Sequence, residues 1–201
     1  MPKDILKQIL ISDDVVESIN DNIETLFSLI PELQPMVDFP HNHPHHHLDV
    51  WQHTLLALSM APNDFEVRLS LLLHDIGKPF CYQDEEVRHF RGHPQKSAEM
   101  SEPILKRLGF TKEESNRYLY IIGNHDTKIS NLETPSDNQT LEKLFQVQCC
   151  DSLAHHPDKL AKRKKYLLET YEYLYKDENK ESFIDWMNKQ TSHPKVLKRG
   201  K

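Results

Sequence analysis

The sequence predicts an all-α fold, and three observations carry that expectation. Apolar residues recur at three- and four-residue spacing along several segments. No segment shows a convincing alternation of apolar and polar residues of the kind a half-buried strand needs. Helix start and stop signals (Asp, Thr or Pro before an apolar stripe, Gly or Pro after it) punctuate the chain. Only five glycines occur in 201 residues, with 37% hydrophobic and 28% charged residues. A chain of this length fits one domain with a real core.

The elements follow in order. Asp4 to Ile11 and Val15 to Leu29 read as an N-terminal helical pair ended by Pro31 and Pro35. A loop runs from Asp38 to His47. Asp49 to Met60 sets Val50, His53, Ala57 and Met60 on one helical face. Asp64 is suited to cap the next helix, whose stripe is Leu69, Leu72, Leu73 and Ile76. Gly77 is expected to stop that helix and Pro79 to prevent its continuation. Pro79 to Arg91 reads as a loop or short hairpin. A helix starts near Pro94 and ends at Gly109. Thr111 and Glu114 form a capping-box signature, and Tyr118, Ile121, Ile122 and His125 share the face of the helix that follows. Asp126 to Asp137 is a loop. Thr140 to Ser152 aligns Leu144, Val147 and Asp151. Pro157 to Tyr175 is a long amphipathic helix, and a short helix around Ser182 to Asn188 precedes a polar, basic tail. The expected organisation is an N-terminal helical extension over 1–36, a core over 37–176 and a C-terminal helix and tail over 177–201.

Composition narrows the function. The formal charge is −6, whereas proteins that grip nucleic acid through phosphate contacts usually carry a basic balance. A small phosphorylated substrate is favoured, with a local basic patch still admissible. No apolar stretch approaches membrane-spanning length, and the N-terminus lacks the apolar core of a secretory signal. Cys81, Cys149 and Cys150 form no scaffold pattern, so a reducing, cytoplasmic setting is expected.

The chemistry concentrates at His74-Asp75, at the end of the apolar run Leu71-Leu72-Leu73. Burying an imidazole and a carboxylate there costs stability unless something compensates them. His53 lies in an upstream helix and Asp151 in a downstream one. Imidazole and carboxylate ligands suit Mn²⁺, Fe²⁺, Co²⁺, Ni²⁺ or Zn²⁺, with Mg²⁺ also admissible. The competing reading makes His53 and His74 satisfied core histidines and Asp151 a cap or ion-pair partner.

The ordered set His53, His74-Asp75, Asp151 resembles that of the HD superfamily of metal-dependent phosphohydrolases. The segments Asp49 to Thr54, Leu73 to Pro79, and His89 to Glu99 are similar to the HD domain attached to bacterial CCA-adding tRNA nucleotidyltransferases. The likeness covers roughly Val37 to Tyr175. No Gly-Ser followed by paired carboxylates is present, so the nucleotidyltransferase module is expected to be missing and CCA addition is not carried over. The resemblance implies a single-domain helical bundle of HD type, a divalent metal cofactor, one ion or two, and hydrolysis of a phosphate ester, with nucleotides, 2′,3′-cyclic phosphates or phosphate monoesters as the substrates. It also implies a second ligand group. In binuclear members the order His, His-Asp, His, His, Asp places the motif aspartate between two ions. By that match Asp75 bridges, His53, His74 and Asp151 complete one site, and His93 and His125 complete the other. The competing reading has one ion, with His93 capping its helix and His125 facing substrate or solvent. The Gly-Tyr-Pro signature of cyclic-di-GMP phosphodiesterases is absent, and so is the Glu-Asp pair of alarmone hydrolases. Two further classes stay open: a di-iron oxygenase of the same superfamily, and a non-catalytic module that binds a nucleotide or an RNA end.

Around the ligands, Asp75 and Lys78 are the expected catalytic residues, with Lys78 either meeting a phosphate oxygen or serving as a cation at a helix C-terminus. Lys78, His47, Arg91 and Arg163 are the expected substrate contacts, and Lys96 has a weaker claim. The remaining histidines of the run, His41, His43, His45 and His46, read first as flexible surface groups, with adventitious metal binding or a place at the site entrance before His53 as the alternatives. Asp49 is expected to orient a ligand histidine. Tyr166, Tyr171, Tyr173 and Tyr175 read as helix packing, and Cys149 and Cys150 as small core residues.

Overall fold

The computed structural model describes residues 1–45, 47–132 and 137–192. The fold is all-α. Helices α1 (Pro2–Leu10), α2 (Val15–Asp21) and α3 (Ile23–Leu29) are followed by a 3₁₀ turn, Pro31–Met36. The Val15–Leu29 segment is thus two helices rather than one. Asn22 breaks it: its backbone leaves the helical region at φ −116°, ψ 23°, and its side-chain amide donates back to the Ser18 carbonyl. Asparagine competes with the helical ladder in this way. The α1 and α2 helices rest on the two helices that carry the first metal-ligand candidates, α5 (Phe65–Leu73) and α4 (Val50–Met60). Arg68 of α5 anchors this arrangement, with its guanidinium donating to the Leu10 and Ser12 carbonyls and to Asn63 Oδ1.

Helix α4 is capped by Asp49, whose carboxylate accepts from the Gln52 N–H at 2.7 Å. Asp64 caps α5 in the same manner at 3.0 Å. Both helices are buried on nearly every side. A helix apolar all round belongs in the centre of the domain, and α4 and α5 pack there against each other and against α8 (Asn138–Leu153).

Gly77 does not act as expected. Helix α5 ends at Leu73, and Gly77 is right-handed at φ −79°, ψ −19°. Its lack of a side chain serves packing: a Cβ there would lie 2.7 Å from Ser97 N and 3.0 Å from the His93 carbonyl. The His74–Gly77 turn can therefore press against the start of α6 (His93–Leu108). Between them, a 3₁₀ turn (Lys78–Phe80) leads into a hairpin of β1 (Gln83–Asp84) and β2 (Arg88–His89), antiparallel with Gln83 opposite His89. Helices α6 and α7 (Lys112–Asn124) form a tight pair. Gly109, at φ +91°, closes α6, with Phe110 N–H donating to the Leu105 carbonyl. Thr111 and Glu114 form the reciprocal capping box that opens α7. The chain ends with α9 (Leu160–Tyr175) and α10 (Lys180–Ser192), packed on each other and on α8. Residues 133–136 of the expected loop and the tail beyond Ser192 lie outside the described residues. Among the described residues, no helix is long and apolar enough to cross a membrane. All three cysteines are unpaired thiols.

Candidate metal centre

Five helices deliver polar side chains to one interior point. His53 projects from the second turn of α4. His74 and Asp75 lie just past the end of α5. His93 begins α6, His125 follows the last residue of α7, and Asp151 lies near the end of α8. His53, His74 and Asp75 have no exposed surface, and His93, His125 and Asp151 are also buried.

The imidazoles are held in one common way. Nδ1–H donates to a backbone carbonyl in each: His74 to Leu71 at 2.6 Å, His125 to Ile122 at 2.7 Å, His93 to Phe90 at 2.9 Å and His53 to Ala154 at 3.3 Å. That contact fixes the tautomer and leaves the Nε2 lone pair directed inward, the arrangement a metal-binding imidazole needs. Backbone carbonyls perform the orienting role expected of Asp49, which caps α4.

Asp75 lies at the centre. Its Oδ2 faces His74 Nε2 at 3.2 Å, His53 Nε2 at 3.8 Å and Lys78 Nζ at 2.7 Å. Its Oδ1 faces His93 Nε2 at 3.3 Å and His125 Nε2 at 3.8 Å. Two groups of three result, each with its donor atoms close together: His53, His74, Asp75, and Asp75, His93, His125. One carboxylate is shared by both. Asp151 stands beside the first group, with Oδ1 2.8 Å from His53 Nε2 and 3.7 Å from His74 Nε2.

These residues fit a divalent cation. His74 Nε2 and both Asp75 oxygens are buried without a hydrogen bond among the described residues, although Lys78 provides Oδ2 with a charge partner. His93 Nε2 and His125 Nε2 lie only 3.1 Å apart, where two lone pairs repel unless a proton or a metal sits between them. Buried polar atoms left in this state cost on the order of 1–3 kcal/mol each. Cations at these points would remove that cost, and the N and O donor set matches transition-metal preferences.

The protein's own charges point the same way. Burial opposes a charged ring at His74, but Asp75 and Asp151 outweigh it and push its pKa up to about 10. Burial opposes charge on Asp75 as well, yet His74 and Lys78 hold it well below the usual carboxylate range. Asp151 is likewise held low against burial, by His155 and His53. His125 is pushed down to about 3 by burial and by the neighbouring His93 and His74. The centre thus keeps two anionic carboxylates and, with no cation bound, draws a proton onto His74; a bound cation would take that proton's place.

A cavity of about 260 Å³ opens onto this centre. Lys78, Arg91 and Arg163 line it, together with Asp75, His93, His125 and Asp151. His47 does not line it. Its exposed ring lies edge-on to His156, 5.4 Å away, so the cavity gives its expected substrate contact no support. Lys96 pairs with Glu99 on the surface. The histidine run is not a uniform surface feature either. His41 is only 1% exposed, while His43 and His45 line the cavity and His46 falls outside the described residues. Burial, then the nearby Lys78 charge, pushes His41 down to about 2.

Several lining groups went unpredicted: His155, Asp126, Arg88, His89 and Phe90. His155 had a readable signal, since it follows Asp151 by four residues and shares its face. Its Nδ1–H donates to the Asp151 carbonyl at 2.9 Å, and burial pushes it down to about 3. Arg88 lines the cavity but is committed elsewhere. It forms a two-point pair with Asp84 and donates to the Pro40 carbonyl, tying the hairpin to the histidine loop.

The family described as "HD domain" matches residues 45–154, a span inside the expected 37–176 core. Relatives with curated descriptions include a CC-adding tRNA nucleotidyltransferase of Thermus thermophilus, 35% identical over 124 residues, covering 58% of this chain and 27% of that protein. An A-adding tRNA nucleotidyltransferase of Deinococcus radiodurans is 35% identical over 88 residues, 40% of this chain and 20% of that protein. A multifunctional CCA protein of Shewanella denitrificans is 27% identical over 121 residues, 58% of this chain and 29% of that protein. The chain therefore spans less than a third of the length of these relatives.

Proposed function

Because the chain belongs to the HD-domain family, we propose that it is a metal-dependent phosphohydrolase acting on a nucleotide or another phosphate ester. The observation that carries this reading is Asp75. One buried carboxylate turns each oxygen toward a different histidine pair, in a cavity also lined by Lys78, Arg91 and Arg163. His53, His74, Asp75 and Asp151 would hold one ion, and Asp75, His93 and His125 a second. A bound divalent cation there supplies Lewis acidity toward water and phosphate oxygen.

The chain's own groups do the rest. Lys78, Arg91 and Arg163 meet the phosphate from the cavity wall and offset its charge. The Nδ1–H contacts of the four histidines keep the centre rigid, so little reorganisation is needed when substrate arrives. The cavity volume suits a small phosphorylated group. The relatives are named for transferring nucleotides to tRNA, which supports a nucleotide, or an RNA end whose terminal phosphate enters the cavity. Nucleotidyl transfer itself is not proposed. Three unpaired cysteines favour the reducing cytoplasm.

The test is a substrate screen. Tag-free protein is stripped with chelator, reloaded separately with Mn²⁺, Ni²⁺, Co²⁺ or Mg²⁺, and offered nucleoside monophosphates, 2′,3′-cyclic phosphates and p-nitrophenyl esters. Metal-dependent phosphate release is expected. Lys78→Ala should lower turnover by an amount equivalent to about 2–4 kcal/mol, as for a lost transition-state donor, with metal content retained. Absence of release with every metal and ester would refute the reading. Oxygen uptake by iron-loaded protein without phosphate release would assign the oxygenase class instead.

A further inference from the structure

Lys78 stands in a small cage. It is only 4% exposed. Asp75 Oδ2 holds its ammonium as an ion pair at 2.7 Å, and His41 Nε2 lies 3.1 Å away on another side. The Phe90 ring covers it, with Nζ 5.5 Å from the ring centre, a cation–π distance. His41 reaches this position from the loop before α4. Its Nδ1–H donates to the Leu48 carbonyl at 2.8 Å. That bond fixes the tautomer, so Nε2 is an acceptor and can only receive a hydrogen bond from Lys78. The His41 ring also packs edge-on to Phe90, with centres 5.6 Å apart.

This geometry points to His41 as a positioning residue that holds the Lys78 ammonium toward the cavity, for use on a phosphate group. The inference rests on the reading of Lys78 as a phosphate contact. Its physical core is a competition at Asp75. A cation on Asp75 draws on the same Oδ2 that pairs with Lys78, and it repels the ammonium. A lysine side chain is flexible and would swing away to solvent. A neutral acceptor, buried and locked by its own backbone contact, keeps the ammonium in place without adding charge. Lys78 lines the cavity, so the one N–H not directed at His41 or Asp75 can reach a phosphate oxygen. The adjoining exposed histidines could not serve as well, because a solvated ring exchanges its partner for water.

The test has two arms, both on the full chain. In the first, zinc-loaded, ¹⁵N-labelled protein is examined for the Lys78 ammonium resonance, assigned by its loss in Lys78→Met. The signal is expected in wild type and in His41→Gln, whose side-chain carbonyl supplies an acceptor, and is expected to vanish through fast solvent exchange in His41→Leu. Should His41→Leu not fold, His41→Met is read in the same way. In the second arm, p-nitrophenyl phosphate hydrolysis by manganese-loaded protein is compared in single and double variants. His41→Leu should lower kcat/KM by roughly ten-fold or more, the worth of one hydrogen bond to a charged group. His41→Gln should restore most of it, and adding His41→Leu to Lys78→Met should cost nothing further. If no phosphate ester is hydrolysed, the proposed function fails while the resonance still reads the contact. A Lys78 signal absent from wild type, one that persists in His41→Leu, or additive losses in the double variant would overturn the inference.

Discussion

Helix α8 has a cavity on each of two faces, and the pair is instructive. On one face Asp151 reaches the polar cavity of about 260 Å³ over the candidate metal centre. On the other, Phe145, Cys149 and Cys150 line a cavity of about 670 Å³ closed by Tyr171, Tyr175, Phe183 and Trp186. The larger cavity is the chemically quiet one. Its aromatic rings stack on each other, Tyr171 on Phe183 at 4.3 Å and Phe183 on Trp186 at 5.8 Å. Polar residues such as Gln146, Glu178 and Gln190 line it as well, and its apolar groups lose only some dispersion contacts at the void. At the smaller cavity, both Asp75 oxygens and the neighbouring His74 Nε2 lack hydrogen-bond partners among the described residues. An unmet electrostatic requirement, rather than volume, distinguishes a site from a packing gap.

The largest expected effect breaks the polar side of this comparison. Asp75→Ala removes the only carboxylate common to both ligand groups, so it should abolish metal-dependent hydrolysis and the thermal shift caused by metal. In wild type, metal at about a hundred times its dissociation constant should stabilise by about 2.7 kcal/mol. For a chain of this size that is a rise of roughly 5–10 °C in Tm. Calorimetry of chelated and reloaded protein checks it. Equal shifts in Asp75→Ala and wild type would remove Asp75 from the centre.

Phe145→Ala probes the apolar side. Phe145 is 4% exposed and packs on Tyr171, Tyr175 and Phe183. Truncation should cost about 3–5 kcal/mol in denaturant unfolding, with metal stoichiometry unchanged. A loss of bound metal in the folded variant would show that the two faces of α8 are coupled.

The smallest effect lies far from both cavities. The Lys3 ammonium and the Thr111 backbone N–H hold the Glu114 carboxyl down to about 2. A depressed carboxyl stabilises the fold above its ordinary value of 4.5 and loses that contribution as pH falls from there toward 2. Partial exposure screens the Lys3 pair, so Glu114→Ala should cost about 1 kcal/mol or less at neutral pH, the size of a helix cap. The difference from wild type should fade over that acid range. A constant difference from pH 7 to pH 2 would exclude the ionised cap.

The two cavities also differ in how far the sequence foretold them. The motif His74-Asp75, with His53 and Asp151 at core-facing helical positions, was legible because buried polar residues stand out against apolar runs. His93 and His125 were legible from the order of histidines and their places at helix ends. The caps at Asp64, Thr111 and Gly109 follow from local chemistry and appear where expected. What local chemistry does not contain was missed. Gly77 looked like a helix stop, but its role is set by α6 pressing from twenty residues away. His41 looked like one of five loop histidines, and only the folded loop buries it against Lys78. Of the α9 aromatics read as packing, Tyr166, Tyr171 and Tyr175 pack against the core while Tyr173 is 63% exposed, and no periodicity announces the cavity that Tyr171 and Tyr175 line. Asn22 acts through a side-chain contact to its own helix, a signal weaker than the apolar stripe that continues across it.

The most direct test of the shared-carboxylate centre is metal stoichiometry. Tag-free protein is stripped with chelator, titrated with Mn²⁺ or Co²⁺ under equilibrium dialysis, and read by elemental analysis in wild type, His93→Ala and His125→Ala. The two three-residue groups around Asp75 lead us to expect saturation at about two tightly held ions per chain, falling to about one in either variant. Saturation at one ion, unaffected by either substitution, would contradict the binuclear account and leave His93 and His125 as ordinary cavity-wall histidines.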